Sequence, residues 1–312
     1  MPKLVNLGSL CIDHVYRVPH LAGTGETVAS SSHELHAGGK GLNQSLAAAR
    51  AGARVVHVGC VGTDGDFLIR TLRDDRIDVD GIRILPDVGS GHAVIQVNDR
   101  GENAIVIAGG ANRCLTETDI TRALDALEPG DWLLLQNEIN DLPAILAAAA
   151  GRQARLAFNV APVDAEVAGY DLSCVDLLVV NVLEGRALVP EMAGEEESGI
   201  AAWLADRYPQ ADIVLTCGAE GLIHARGSTL THLPAFAVAA VDETGAGDAF
   251  TGYLLGGLLA GLSVPDALRQ GAAAGALAVT VAGAASAIPR LDAVRRLLTD
   301  DRASARSVRA GG

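Results

Sequence analysis

Residues 132–160 read WLLLQNEINDLPAILAAAAGRQARLAFNV. An apolar run, Trp132–Gln136, leads into an Ala-rich helical segment at 144–150 and then into a second apolar run, Arg155–Val160. Neither run alternates polar with apolar residues. Each therefore reads as a strand covered on both faces, the pattern of a parallel sheet between layers of helix. The rhythm extends both ways. Downstream come a strand at Leu177–Asn181, helices at 184–188 and Gly199–Tyr208, and a strand at Ile213–Thr216. Strand pieces at 222–225 and 235–241 follow, then helices at Asp248–Ala260, about 265–280 and 291–299. Upstream lie strands at Leu4–Leu7 and Arg54–Val61 and helices at Leu42–Ala51, Phe67–Asp75 and Glu117–Leu127. Alternating strands and helices predict a three-layer α/β/α fold with a mainly parallel central sheet.

Two patches break the rhythm. Residues 11–37 are rich in Val, Thr, Ser and His without a helical period, and 91–98 and 103–108 flank Asn98-Asp99-Arg100-Gly101, a hairpin signal. They are expected to pair into a small β lid at 11–37 and 91–109. That leaves 1–10, 38–90 and 110–312 as one α/β domain. The polar, Arg-bearing tail 301–312 reads as poorly ordered.

Composition narrows the function. With 38 acidic and 24 basic residues among 312, the net charge is −14, which argues against nucleic acid or an anionic membrane as partner. Only Lys3 and Lys40 are lysines. Five cysteines, Cys11, Cys60, Cys114, Cys174 and Cys217, are scattered with no CxxC pair, as expected of reduced thiols in a cytoplasmic protein. Met1-Pro2-Lys3 runs straight into a strand, without the look of an export leader. The uncharged stretch Gly271–Ile288 is mostly Ala and Gly and reads as a buried helix rather than a membrane span.

Several segments can carry chemistry. Val241-Asp242-Glu243-Thr244-Gly245-Ala246-Gly247-Asp248-Ala249-Phe250 passes from an apolar strand into an uninterrupted helix. Its glycines allow a tight turn, and the amides of the first helical turn point outward at the positive end of the dipole, where a phosphate fits. Asp248 stands at that turn; an N-cap role would by itself account for it and is favoured for the motif taken alone, and the two roles are compatible. Gly38-Gly39-Lys40-Gly41-Leu42-Asn43-Gln44 again sets glycines before a helix and adds donors for hydroxyls or phosphate. Asp13, just past the first strand, and Glu138, just past Trp132–Gln136, are strand-end carboxylates, where ligands of parallel sheets bind. Asn181 and Glu184, three apart at a helix start, suit a cap with a first-turn acid or a hydrated Mg²⁺. The small residues of Thr216-Cys217-Gly218-Ala219-Glu220-Gly221 suit a base or ribose, or simply a hairpin turn.

Other chemistries fail on the residues. There is no GxxxxGK[ST], GxGxxG, HExxH or GxSxG motif, and His33 and His36 lie in an extended run where they face opposite sides.

Taken in order, GSxxxDH at 8–14, GETV at 25–28, GGKGxNQ at 38–44, GGAN at 109–112, Glu138, NVAP at 159–162, NxxE at 181–184, TxG at 216–218 and DETGAGDAF at 242–250 resemble the ribokinase branch of the phosphofructokinase-B carbohydrate kinases. The resemblance implies an ATP-dependent kinase that phosphorylates a primary hydroxyl of a sugar, ribose to ribose 5-phosphate above others. It implies Asp248 as general base and the amides of Gly245, Ala246 and Gly247 as the anion hole. Asp13, Gly39, Lys40, Asn43 and Glu138 match sugar-binding positions, and Asn181, Thr216, Gly218 and Gly247 match nucleotide-binding positions. Glu184 matches a position that holds Mg²⁺ through water, and Asp242, Thr244 and Gly283 match a monovalent-cation loop, usually for potassium. A homodimer through the lid is also implied. At a helix N-terminus Asp248 is expected to have a lowered pKa.

Three positions depart from the pattern. Cys11 stands where Asn is usual, two residues before the substrate Asp, so a hydroxyl contact is lost. Deoxyribose, fructose, another sugar or a nucleoside are the alternative substrates. Gly271 stands where a His beside the nucleotide is typical. Ala287 stands where a Ser commonly completes the cation site, with Ser286 adjacent. A non-catalytic sugar-binding protein is the alternative of another class.

Overall fold

The apolar runs form the spine of a nine-stranded sheet in the computed structural model, which describes residues 2–192 and 194–310. The chain opens with β1 (Leu4–Leu7), β2 (Cys11–Arg17), β3 (Ser32–Gly38), α1 (Lys40–Arg50), β4 (Val55–Gly62), α2 (Asp66–Asp74), β5 (Asp78–Leu85), β6 (Gly91–Val97) and β7 (Asn103–Ala108). It continues with α3 (Glu117–Asp125), β8 (Trp132–Gln136), α4 (Leu142–Ala149), β9 (Arg155–Asn159), β10 (Leu177–Asn181), α5 (Val182–Leu188), α6 (Glu197–Arg207) and β11 (Asp212–Thr216). It ends with β12 (Leu222–Arg226), β13 (Thr229–Leu233), α7 (Ala246–Leu259), α8 (Val264–Ala278) and α9 (Leu291–Ala310).

The large sheet has the order β13-β12-β11-β10-β9-β8-β1-β4-β5, parallel from β11 to β5, with β12 and β13 antiparallel at one edge. Alternate residues of each strand feed two separate cores. In β8, Trp132 and Leu134 join Leu42, Leu46, Tyr253, Leu254 and Leu268 on one face, while Leu133 and Leu135 join Leu124, Ile145, Phe158 and Leu204 on the other. Burial on both faces is why the strands read as unbroken apolar runs.

The two patches outside the rhythm form a four-stranded sheet of order β3-β2-β6-β7, with β2 and β6 parallel and the outer pairs antiparallel. Leu35, Ile105, Val106 and Ile107 on this sheet are exposed.

Several local expectations change. β5 was not expected; its polar residues Asp78 and Asp80 alternate with buried Val79 and Gly81 at the sheet edge. Residues 235–241 are not a strand. The last strand is Thr229–Leu233, and 234–241 returns as a loop along a cavity described below. The last helix runs on to Ala310 rather than stopping at 299, as a stretch free of Gly and Pro permits, so most of the tail 301–312 is helical; Gly311 and Gly312 lie outside the described residues. Gly271–Ile288 contributes the end of α8 and a turn, and no helix among the described residues is long and apolar enough to cross a membrane.

Candidate active site

The site lies at the carboxyl ends of the parallel strands, where the small sheet overhangs the large one. One helix pair assembles its centre. On α7, Gly252 and Gly256 sit one turn apart against α1; a Cβ on Gly252 would stand 2.4 Å from Ala47 Cβ, and one on Gly256 would stand 2.5 Å from Ala51 Cβ. Without side chains there, the two helices touch backbone to backbone, and their N-terminal turns meet.

At that meeting point Asp248 is 7% exposed. Its Oδ2 accepts a hydrogen bond from Asn43 Nδ2 (2.9 Å) and its Oδ1 one from Gln44 Nε2 (2.8 Å). The N-cap reading does not hold: the cap is Gly245, at φ 76°, and Asp248 makes no cap bond but turns its carboxylate inward. The expected lowered pKa is also corrected. Burial pushes the Asp248 carboxyl up, and the charge of Lys40 with the Asn43 and Gln44 bonds only partly offsets this. Gly247 and Asp248 lie in the first turn of α7, where amides have no intrahelical acceptor. The Ala246 amide, expected beside them, is turned to the Glu243 carbonyl at 3.3 Å.

The lysine loop closes one side. Gly39 takes φ 92°, unfavourable for other residues, and brings the backbone beside Cys11. The Lys40 amide donates to Glu138 Oε2 at 2.9 Å, and that oxygen also accepts from the Ser9 hydroxyl. Ser9 Oγ in turn accepts from the Gly41 amide at 3.1 Å. Burial disfavours the Lys40 ammonium, yet Asp248, Glu138 and Glu184 around it hold its pKa above the ordinary value. Asp13, on the lid strand β2, is pushed up to about 6 by burial and then by Glu138. The buried Cys11 thiol receives Asn112 Nδ2 at 3.3 Å, and burial with Glu138 and Asp13 nearby raises its pKa, so it stays neutral. Asp13, Cys11, Lys40, Asn43, Glu138 and Asp248 thus form one polar cluster drawn from β2, α1, the turn after β8 and α7.

Across the Gly247 turn lies a cavity of about 370 Å³ lined by Thr216, Gly218, Gly247, Phe250, Ala272 and Val279 among others. Gly218 lies in a short turn of the β11–β12 hairpin and lines this cavity. Gly271 faces away from this cavity: a Cβ there would stand 2.8 Å from the Phe250 carbonyl, within the α7–α8 contact.

Asn181 and Glu184 form a capping box. Asn181 Oδ1 accepts from the Glu184 amide, Glu184 Oε2 accepts from the Asn181 amide, and Asn181 Nδ2 donates to Glu184 Oε1, all at 2.8 Å. Burial raises the pKa of Glu184, opposed by the Asn181 amide bond and Lys40. Asn181 is not among the residues lining the cavity. Asp242 ties two loops together, accepting from the Thr244 amide (2.9 Å) and the Gly283 amide (2.8 Å). These bonds outweigh burial and lower its pKa. Ala287 is buried beside this loop, and Ser286 is exposed.

Three contributors escaped the sequence reading as site residues, Ser9, Gln136 and Asn159, while Gln44, read as a donor for hydroxyls or phosphate, donates instead to Asp248 and Asn159. Ser9 stands inside the GSxxxDH motif, so the signal was present. Asn159 opens the NVAP motif, and Gln136 alone was readable only as the polar end of an apolar strand.

The profile of the pfkB family carbohydrate kinases matches residues 1–291. A ribokinase of Haemophilus influenzae is 34% identical over 290 residues, covering 92% of this chain and 95% of its own. The crystal structure of a ribokinase from Cryptococcus neoformans var. grubii in complex with ADP superposes with a TM-score of 0.83 at 32% identity, over 95% of this chain and 99% of that one. An Arabidopsis thaliana ribokinase complexed with ribose and ATP gives a TM-score of 0.83 at 28% identity, over 95% and 98% of the two chains.

Proposed function

The chain belongs to the pfkB family of carbohydrate kinases and is a phosphotransferase with an alcohol acceptor; from this premise we propose that it transfers the γ-phosphoryl group of ATP to the primary hydroxyl of ribose, forming ribose 5-phosphate. The observation that carries this reading is the buried Asp248 carboxylate, held by Asn43 and Gln44 between the polar cluster and the helix N-terminus. Ribose occupies the pocket of Asp13, Gly39, Lys40, Asn43 and Glu138, and ATP the cavity at Thr216, Gly218 and Gly247, with Asn181 toward its phosphates.

Phosphoryl transfer needs alignment and charge stabilisation more than covalent help. Asp248 takes the proton of the sugar hydroxyl as the new O–P bond forms and the bond to ADP breaks. A carboxylate whose pKa burial raises is a better base than one at a solvated helix end. The amides of Gly245, Gly247 and Asp248 receive the charge developing on the migrating group. The lid sheet excludes water, so ATP is not spent on hydrolysis.

Mg²⁺ fits beside Glu184. Both oxygens of that carboxylate already accept a bond from Asn181, which favours contact through water over direct ligation. When bound with the nucleotide, the ion neutralises phosphate charge. Backbone carbonyls of the loops clamped by Asp242, around Thr244 and Gly283, suit a monovalent cation such as potassium. Higher turnover in KCl than in NaCl supports this, and equal rates refute it. The exposed apolar lid, Val106 at 70% and Leu35 at 54%, supports a homodimer through that sheet, which sedimentation tests. Five free cysteines support a cytoplasmic setting.

Cys11 supports a second reading of the substrate, a deoxy sugar or another close relative of ribose, because a neutral thiol is a poor partner for a hydroxyl. The deciding experiment incubates the protein with ATP, Mg²⁺ and a panel of pentoses, hexoses and nucleosides, and follows product by ³¹P NMR. Ribose as the preferred acceptor bears out the proposal. A different preferred acceptor moves it to that sugar. Binding without any product replaces it with a non-catalytic sugar-binding protein.

A further inference from the structure

Beneath Asp248 the site continues as a chain of buried amides. Gln44 Nε2 donates to Asp248 Oδ1 and to Asn159 Oδ1, both at 2.8 Å, and Gln44 Oε1 accepts from Gln136 Nε2 at 2.8 Å. Gln136 Nε2 also donates to Asn6 Oδ1 at 3.0 Å. Asn6 Nδ2 donates to the Gly41 carbonyl and to Ser45 Oγ, both at 2.8 Å. Ser45 Oγ pairs with Nδ1 of His57 at 2.8 Å, and burial keeps that ring neutral, its pKa pushed down to about 4. Asn6, Gln44, Ser45, His57 and Gln136 are all fully buried.

An amide side chain can face two ways, and here the end groups decide which. The Gly41 carbonyl only accepts, so Asn6 must turn its NH₂ to it and its oxygen to Gln136. Gln136 must then turn its NH₂ to both Asn6 and Gln44. Gln44 is left with its oxygen on Gln136 and both N–H groups on Asp248 and Asn159; the Asp248 carboxylate, which only accepts, and Asn159 Oδ1, set by the 3.1 Å bond from Asn159 Nδ2 to the Val179 carbonyl, require the same orientation from the other end. Gln136 Oε1 has no hydrogen-bond partner among the described residues and lies against Gly8. An unpaired buried amide oxygen is unfavourable. The orientation persists because both N–H groups of Gln136 are engaged.

We propose that Gln136 is a positioning residue for the phosphoryl transfer: without touching Asp248, it anchors Gln44 Oε1 by a 2.8 Å hydrogen bond and so keeps Gln44 Nε2 seated on Asp248 Oδ1. This rests on the reading of Asp248 as the proton acceptor. The charged groups around Asp248 are Lys40 at the start of α1, Glu138 after β8, Glu184 on α5 and Asp13 on β2, and a change at residue 136 alters none of them.

The test is Gln136→Met, which keeps the shape and removes both donors. Gln44 Oε1 then loses its donor, its amide is no longer anchored, and the bond that stabilises the Asp248 charge weakens. Titration of the Asp248 carboxyl by ¹³C NMR, assigned with Asp248→Asn, is expected to move up by about one pH unit, with turnover down about tenfold and the sugar KM little changed. Leu134→Ala, a fully buried change on the same strand, is the structural control: it lowers Tm without moving that titration. An Asp248 titration in folded Gln136→Met equal to or below wild type overturns the proposal. If that variant does not fold, Gln136→Leu replaces it. It also removes both donors and adds no charge beside Asp248, so the same upward shift is expected and its absence is equally decisive. A wild-type protein that phosphorylates no acceptor removes the role of Asp248 but leaves the titration readable; an unmoved titration with active wild type removes Gln136 alone.

Discussion

Asn43 and Asp248, 205 positions apart in the chain, share a 2.9 Å hydrogen bond from Nδ2 to Oδ2. It joins the first turns of α1 and α7 and places the carboxylate of the DETGAGDAF segment directly against the lysine loop. The two glycine-rich segments are therefore one site. The bond also explains why Asp248 does not cap its own helix: both its oxygens are taken by α1.

Replacing Asp248 with Asn keeps the shape and removes the proposed proton acceptor. Turnover is expected to fall by on the order of 10²–10⁴, the usual size of a general-base contribution. Sugar affinity, followed by calorimetry, should change far less. A variant with wild-type turnover in a coupled ADP assay would falsify the role given to Asp248.

Asp13, with its pKa pushed up to about 6, sets a pH dependence. In the proposed sugar-binding role, protonation below pH 6 takes away its capacity to accept from two sugar hydroxyls, so the sugar KM is expected to rise as pH falls from 7 to 5. Its stability effect has the opposite sense. Because the folded pKa lies above the unfolded one, its contribution is fully present below about pH 4 and is lost as pH rises through 6, amounting to roughly 2–3 kcal/mol. Asp13→Asn should therefore melt several degrees higher than wild type at pH 7.5 and no higher at pH 4, while binding sugar poorly. Equal melting temperatures at pH 7.5 would refute the burial argument.

In an exposed helix, Gly→Ala gains up to about 1 kcal/mol. At Gly252 the added methyl would stand 2.4 Å from Ala47 Cβ and 2.6 Å from the Gln44 carbonyl. Overpacking of that kind costs about 1–3 kcal/mol, so the steric effect outweighs the propensity and Gly252→Ala is expected to be destabilised. Pushing α1 from α7 also spoils the alignment of Asp248, and turnover should drop on the order of tenfold to a hundredfold. Full activity with raised stability would show that the helices do not depend on this contact.

At Cys11, an Asn side chain would take over the bond from Asn112 and still offer an NH₂ to the ligand. Cys11→Asn is expected to improve kcat/KM for ribose relative to deoxyribose, by about five- to tenfold for one added neutral hydrogen bond. An unchanged ratio in a side-by-side assay would show that residue 11 does not face the discriminating hydroxyl.

Much of this molecule was legible in the order of its residues. Runs such as Trp132–Gln136 and Leu177–Asn181 declare strands buried on two faces, because apolar residues at every position leave no side for water. The break in rhythm at 11–37 and 91–109 marks the second sheet, and glycines before helices mark where backbone amides are free. The edge strand β5 and the loop 234–241 were not legible: Asp78 and Asp80 hide the first among polar residues, and the apolar side chains of the second face a cavity instead of a strand partner.

What only the tertiary structure decided is how these pieces act on one another. The inward turn of Asp248, its raised pKa and its link through Gln44 to Gln136 arise from packing α1 against α7 over the end of β8. Charge and hydrogen-bond geometry depend on burial and on distances of a few ångströms between segments far apart in the chain. Local pattern carries the period of a strand or helix, but neither of those quantities.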